Sequence, residues 1–135
     1  MTQEDKELLL KDLCARLPYG VMCNRLKNVY ELVDIDIKRG LVYLLRDDTY
    51  VPYSITMGDE VKPYLRPMSS MTEEEYTELK KISEYYGFAP FEYIYDWGPN
   101  YNMTDWLNAN HFDYRGLIPK DLAIEVTEEN NPYKD

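Results

Sequence analysis

The sequence predicts one α+β domain: a small antiparallel, barrel-like sheet, a helix before it and two helices after it. Three observations carry this. Apolar residues recur at helical spacing at the start of the chain and again after residue 72. Between those stretches the apolar period shortens to two, punctuated by tight-turn residues. The chain has 135 residues, 44% of them hydrophobic and 30% charged, which suits a single globular domain with its own core.

Thr2 stands three residues before Asp5, a capping-box spacing. Leu9, Leu10, Leu13 and Leu17 follow at helical spacing, and Pro18 forbids continuation. A helix is expected over residues 3–16, one face on the core. A strand meander is expected over 19–65. Val21, Met22 and Cys23 form a short apolar run. Val29, Val33, Ile35 and Ile37 fall on one period-two face, with Asp34 and Asp36 on the other. Lys38-Arg39-Gly40 marks a turn, Leu41 to Leu45 a second apolar run, and Asp47-Asp48 another turn. Val51, Tyr53 and Ile55 alternate before Gly58-Asp59. Strands this short would expose their edges as an open sheet, so an SH3-like barrel or strongly bent sheet is expected.

Pro63 and Pro67 mark the exit from the sheet. Thr72 with Glu75 fits a second capping box. Glu73, Glu74 and Glu75 suit the positive end of a helix dipole. Tyr76, Leu79, Ile82 and Tyr86 then share a face, and Gly87 ends it, predicting a helix over 73–86. In residues 88–101, Phe91, Tyr93 and Tyr95 alternate as in a strand, although a helical turn is equally allowed. Asn102 with Asp105 can open a short helix, placed at 103–110. Gly116 and Pro119 bracket a loop, 123–126 forms an edge strand, and Glu128 to Asp135 is expected to fray.

Net charge is -10 and unevenly placed. Residues 1–70 hold 10 Lys and Arg against 11 Asp and Glu; residues 71–135 hold 5 against 14. This argues against direct nucleic-acid binding, which needs clustered Lys and Arg. Solubility explains the acidity simply; an acidic face for a basic partner is the more specific reading. Cys14 and Cys23 are expected to be reduced, partly buried thiols. No stretch approaches the roughly 20 apolar residues of a membrane span. The six glycines are scattered singly, so no phosphate-binding loop is present.

His111 is the single histidine, beside Asp113, Tyr114 and Arg115. An acid–base role would need an orienting group and a nearby nucleophile; Asp113 supplies the first, but no Ser or Cys lies close in sequence. A helix C-terminus, where a cationic or hydrogen-bonding side chain meets loose carbonyls, explains it better. Asp47, Glu60 and Lys62 resemble the carboxylate-and-lysine skeleton of a metal-dependent hydrolase or nuclease, but so few residues match readily by chance. Asp34 with Asp36 and Asp47 with Asp48 read as solvent face and turn. A tyrosine-lined nucleotide sink is a further alternative, given 14 tyrosines against 3 phenylalanines.

Two stretches, VKPYLRPMSSMTEEE (residues 61–75) and DWLNANHFDYRGLIPKDLAIE (residues 105–125), resemble a family of small proteins from gut Bacteroidales, their phages and other mobile elements. The layout is also similar, with a leading helix, PYGV at residues 18–21 and a strand-rich segment. The motifs cover about a third of the chain; the strand segment and residues 85–101 depart from the family's pattern. No activity is assigned to that family, so the resemblance implies an accessory gene and a bacterial cytoplasm, and no reaction.

The function expected is therefore non-enzymatic protein binding without a cofactor. The partner would be another protein, basic or nucleic-acid-handling. Candidate contact residues are Lys62, Tyr64, Arg66, Glu73, Glu74, Glu78, Trp106, His111, Tyr114 and Arg115. Trp, Tyr and Arg dominate binding hot spots. The aromatic and basic members are expected to pack together, either as a shared recognition surface or as the joint between sheet and helices, with Arg66 or Arg115 paired to an acidic side chain.

Overall fold

A computed structural model describes residues 1–85 and 101–134. Helix α1 spans Gln3–Arg16, and its capping box is complete: Asp5 N–H donates to Thr2 Oγ1, and Thr2 N–H donates to Asp5. Leu9, Asp12, Leu13 and Arg16 are its buried stripe. A 3-10 turn at Leu17–Tyr19, with Pro18 in its first turn, ends the helix.

The meander follows as β1 (Met22–Arg25), β2 (Asn28–Asp36), β3 (Leu41–Arg46), β4 (Thr49–Ser54) and β5 (Lys62–Leu65). Leu26-Lys27 and Asp47-Asp48 form the two-residue turns β1–β2 and β3–β4, all four at positive φ, the conformation that matches strand twist. The spatial order is β4-β3-β2-β1-β5-β6, antiparallel except for β6 (Ile124–Glu125), which runs parallel to β5.

The expected α+β class holds, but the sheet does not close into a barrel. Its edges are blunted instead. Ile55 N–H donates to Gly40 C=O, which sets the alternation along β3–β4. Pro52 then falls in a non-hydrogen-bonded pair with Tyr43, so its ring nitrogen faces the open edge without a donor. Ser54 N–H faces the same edge and is taken by the Asp59 carboxylate at 2.8 Å. At the other edge, Asn130 Nδ2 donates to Glu125 C=O.

One expected strand face is corrected. A register shift between Leu32 and Asp34 puts a bulge in β2. Before it, Tyr30 and Leu32 face the core; after it, Ile35 does. Ile37, past the end of β2, is exposed, and so is Val29. The apolar alternation took one phase across a stretch where the backbone changes phase.

Among the described residues two clusters make the core. Leu9 and Leu13 of α1 pack on Cys23, Leu32, Val42 and Leu44 of the sheet, with Leu117, Leu122 and Ala123 closing the side. The second cluster joins Leu79 of α2 (Glu73–Tyr85) to Met103 and Leu107 of α3 (Tyr101–Ala109) and to Phe112. Helix α3 starts ahead of the expected 103, so Asn102 lies inside it. On α2, Leu79 is fully buried and Ile82 packs beside it, while Tyr76 of the expected apolar face is exposed. Tyr86, Gly87 and the alternation at Phe91, Tyr93 and Tyr95 lie outside the described residues. Cys23 is buried as expected; Cys14 is exposed, because it falls off the Leu9–Leu13 stripe. The frayed tail expected from Glu128 is also corrected: its segment folds back and anchors Tyr133.

Candidate functional site

The two motif stretches meet in one seam. Beyond β5 the backbone of Arg66 bridges in parallel to Phe112. Arg66 N–H donates to His111 C=O at 2.7 Å, and Asp113 N–H donates to Arg66 C=O at 2.8 Å. The Arg66 guanidinium lies 4.1 Å over the Phe112 ring and grips Glu75 with two 2.7 Å hydrogen bonds. Glu75 Oε1 also accepts from Thr72 N–H, so one carboxylate both caps α2 and ties it to the strand exit. The Arg66 guanidinium holds the Glu75 carboxyl down at about 2. Trp106 stacks on the buried Phe112 ring, centroids 5.7 Å apart.

His111 ends α3 with its backbone. It sits at φ 63°, in the left-handed position usually given to glycine. His111 N–H donates to Asn108 C=O, and Phe112 N–H donates to Leu107 C=O. That is a Schellman closure, and Phe112 and Leu107 supply its apolar contact. The helix-end position matches expectation, but the cationic ring does not. The imidazole stacks on Tyr133 at 3.7 Å, its Nδ1 is buried without a hydrogen bond, and burial lowers its pKa to about 4, helped by the Arg16 and Arg66 charges. At neutral pH the ring carries no charge.

Beneath the seam is a charged network in which Arg115 finds the acidic partner expected of it, while the buried Asp12–Arg16 pair was not anticipated. Arg16 is fully buried. Its Nε donates to Asp12 at 2.7 Å and its Nη2 to Phe112 C=O at 2.7 Å. Arg115 Nη1 donates to the other Asp12 oxygen at 3.1 Å. Both guanidiniums lie over the Tyr114 ring, and Tyr114 O–H donates to Asn108. Asp113, also buried, accepts from the N–H groups of Leu117 and Ile118 and fixes the following loop. A signal existed for the first pair. Positions 9, 12, 13 and 16 form one helical stripe, so Asp12 and Arg16 interrupt an apolar face at i, i+4.

Tyr64 is buried; its hydroxyl accepts from Asn24 Nδ2. Lys62 is half-buried, its ammonium shared between Glu60 at 3.2 Å and Asp121 at 3.0 Å. Asp47 lies in the β3–β4 turn, three strands from β5 in the sheet order, with Arg46 as its ion-pair partner. Glu60 and Lys62 do meet, but Asp47 is not brought to them, and among the described residues no group of three His, Cys, Asp or Glu can hold a metal ion. Burial pushes the Cys23 thiol well up, so it stays protonated, and it raises Cys14 as well.

The acidic candidates behave differently. Glu73, Glu74 and Glu78 are exposed on α2, around exposed Tyr76. Of the four glutamates over 73–78, only Glu75 turns inward to an ion pair among the described residues. The Arg66–Glu75 pair ties α2 to the seam, while the Glu73, Glu74 and Glu78 side chains remain exposed. Comparison with protein-family models, curated proteins and solved structures finds no match. Among the described residues, no helix is long and apolar enough to cross a membrane.

Proposed function

We propose that the chain is a non-enzymatic binding protein of the bacterial cytoplasm, an accessory factor of mobile-element origin, that offers the acidic outer face of α2 to a basic surface on a nucleic-acid-handling enzyme. One observation carries this: Glu73, Glu74 and Glu78 are exposed without ion-pair partners among the described residues, whereas Glu75 beside them is consumed by Arg66. The Arg66–Glu75 pair and the buried Leu79 anchor the helix, so the three carboxylates are presented at fixed spacing. The neutral, stacked His111 and the protonated Cys23 favour binding over catalysis.

The test is affinity purification from the native host, followed by the same capture with Glu73, Glu74 and Glu78 changed to Gln and, separately, to Lys. Capture should fall with Gln, vanish with Lys, and weaken as salt shortens the roughly 8 Å screening length. Thermal melts must show the variants folded, because acidic residues in a first helical turn each contribute about 0.3–1 kcal/mol. Equal capture by the folded Lys variant would sink the proposal.

A further inference from the structure

The segment after β6 runs back over the seam, where the Tyr133 hydroxyl occupies a place in the sheet ladder. Leu32 N–H donates to Val21 C=O, so on β1 the polar groups of Val21 point to β2 and those of Met22 point to β5. The β1–β5 register pairs Cys23 with Pro63 and Asn24 with Lys62, which makes Met22 opposite Tyr64 the next pair. The Tyr133 hydroxyl stands between those two residues: it accepts from Met22 N–H at 3.0 Å and donates to Tyr64 C=O at 2.7 Å. Its ring is held by the parallel stack on His111. From Thr127 onward the other hydrogen bonds are local, between Thr127 and Asn130, Asn130 and Glu125, and Tyr133 and Asn131. The strap therefore rests on one long-range anchor among the described residues.

We infer that this strap is a latch that exchanges between the docked form and a released form in which β1 and β5 zip by one further pair. Release leaves no orphaned backbone group, since Met22 N–H and Tyr64 C=O become each other's partners. An ordinary buried bridge, once removed, leaves both groups unsatisfied at considerable cost. The two hydrogen-bonding arrangements compete for the same atoms, which is the requirement for a two-state element. Release also removes one wall of a groove of roughly 540 Å³ over the seam and uncovers Arg66, Asn110 and the second face of His111. The latch does not depend on the partner proposed above.

Nuclear magnetic resonance on the full chain tests it. Tyr133→Phe keeps the ring and removes the hydroxyl; Tyr133→Ala removes both. A through-hydrogen-bond coupling between the Met22 amide nitrogen and the Tyr64 carbonyl carbon should be absent in the wild type and appear in Tyr133→Ala. In both variants the amide of Lys134 should lose about tenfold or more of its exchange protection, while Met22 in Tyr133→Ala keeps its own. Relaxation dispersion at Met22 in the wild type should report the minor released form. If Met22 in folded Tyr133→Ala exchanges more than about tenfold faster, without the coupling, the hydroxyl is a fixed bridge and the latch is overturned.

Discussion

Asp12→Ala is the most informative single change in the protein. It removes the carboxylate that balances Arg16, whose side chain is 0% exposed, and that also receives Arg115. Breaking a buried ion pair from one side costs about 3–5 kcal/mol, because the remaining charge stays in a medium that cannot solvate it. A domain of this size holds about 5–15 kcal/mol in total, so the variant should lose roughly a fifth or more of its stability. Arg115→Met should cost less than that, since Asp12 keeps its Arg16 partner and no buried charge is left unpaired. Replacing both partners, Asp12→Ala with Arg16→Met, should be less harmful than the two changes summed, by about 2 kcal/mol, although Phe112 C=O then loses its donor. Urea unfolding followed by circular dichroism gives these values from midpoint shifts at constant slope. A cost below about 1 kcal/mol for Asp12→Ala, or strict additivity in the double variant, would refute the network as the tie between α1 and the seam.

Acid should act in two steps. His111 has its pKa lowered from 6.5 to about 4, so the unfolded chain takes its proton first; the stability is whole above pH 6.5 and drains as pH falls toward 4. Complete burial would make this about 3 kcal/mol, and with part of the ring open to water about half that. Glu75, lowered from 4.5 to about 2, adds a loss that begins below pH 4.5 and ends near 2. Melting temperatures from pH 8 to 2 should therefore flatten in the upper window for His111→Gln and in the lower one for Glu75→Gln; an unchanged profile in either variant would contradict its assignment. Gly40→Ala should cost about 2–4 kcal/mol, since it combines φ +68° with a Cβ that overlaps Thr56 Oγ1. Gly20→Ala, at φ +69° in open space, should cost only about 1 kcal/mol by the same melts, and equal losses would show that the Thr56 contact is relieved without strain.

Much of the fold was legible because it is written in local chemistry. Helix α1 ends where the capping box and Pro18 require, and α2 starts where Thr72 and Glu75 meet. The aspartate turn at 47–48 and the strands around it follow from period and turn type alone. The helix end at His111 also followed from local signals. Where a local pattern crosses a change of backbone phase, as at the β2 bulge, the same logic put Val29 on the wrong face.

The sequence by itself determined the α+β class, the main helix and strand segments, the acidic second half and the meeting of the two motif stretches. The tertiary structure decided what those stretches do. It sent Arg66 to Glu75, Arg115 to Asp12 and Tyr64 into the core, leaving Glu73, Glu74 and Glu78 open. It also docked Tyr133 across the β1–β5 ladder, 111 residues from Met22. Capping, turns and periodicity act over a few residues and can be read along the chain. The partner of a buried charge or a wedged hydroxyl is fixed by which distant groups the packing brings within 3 Å, and no local pattern encodes that.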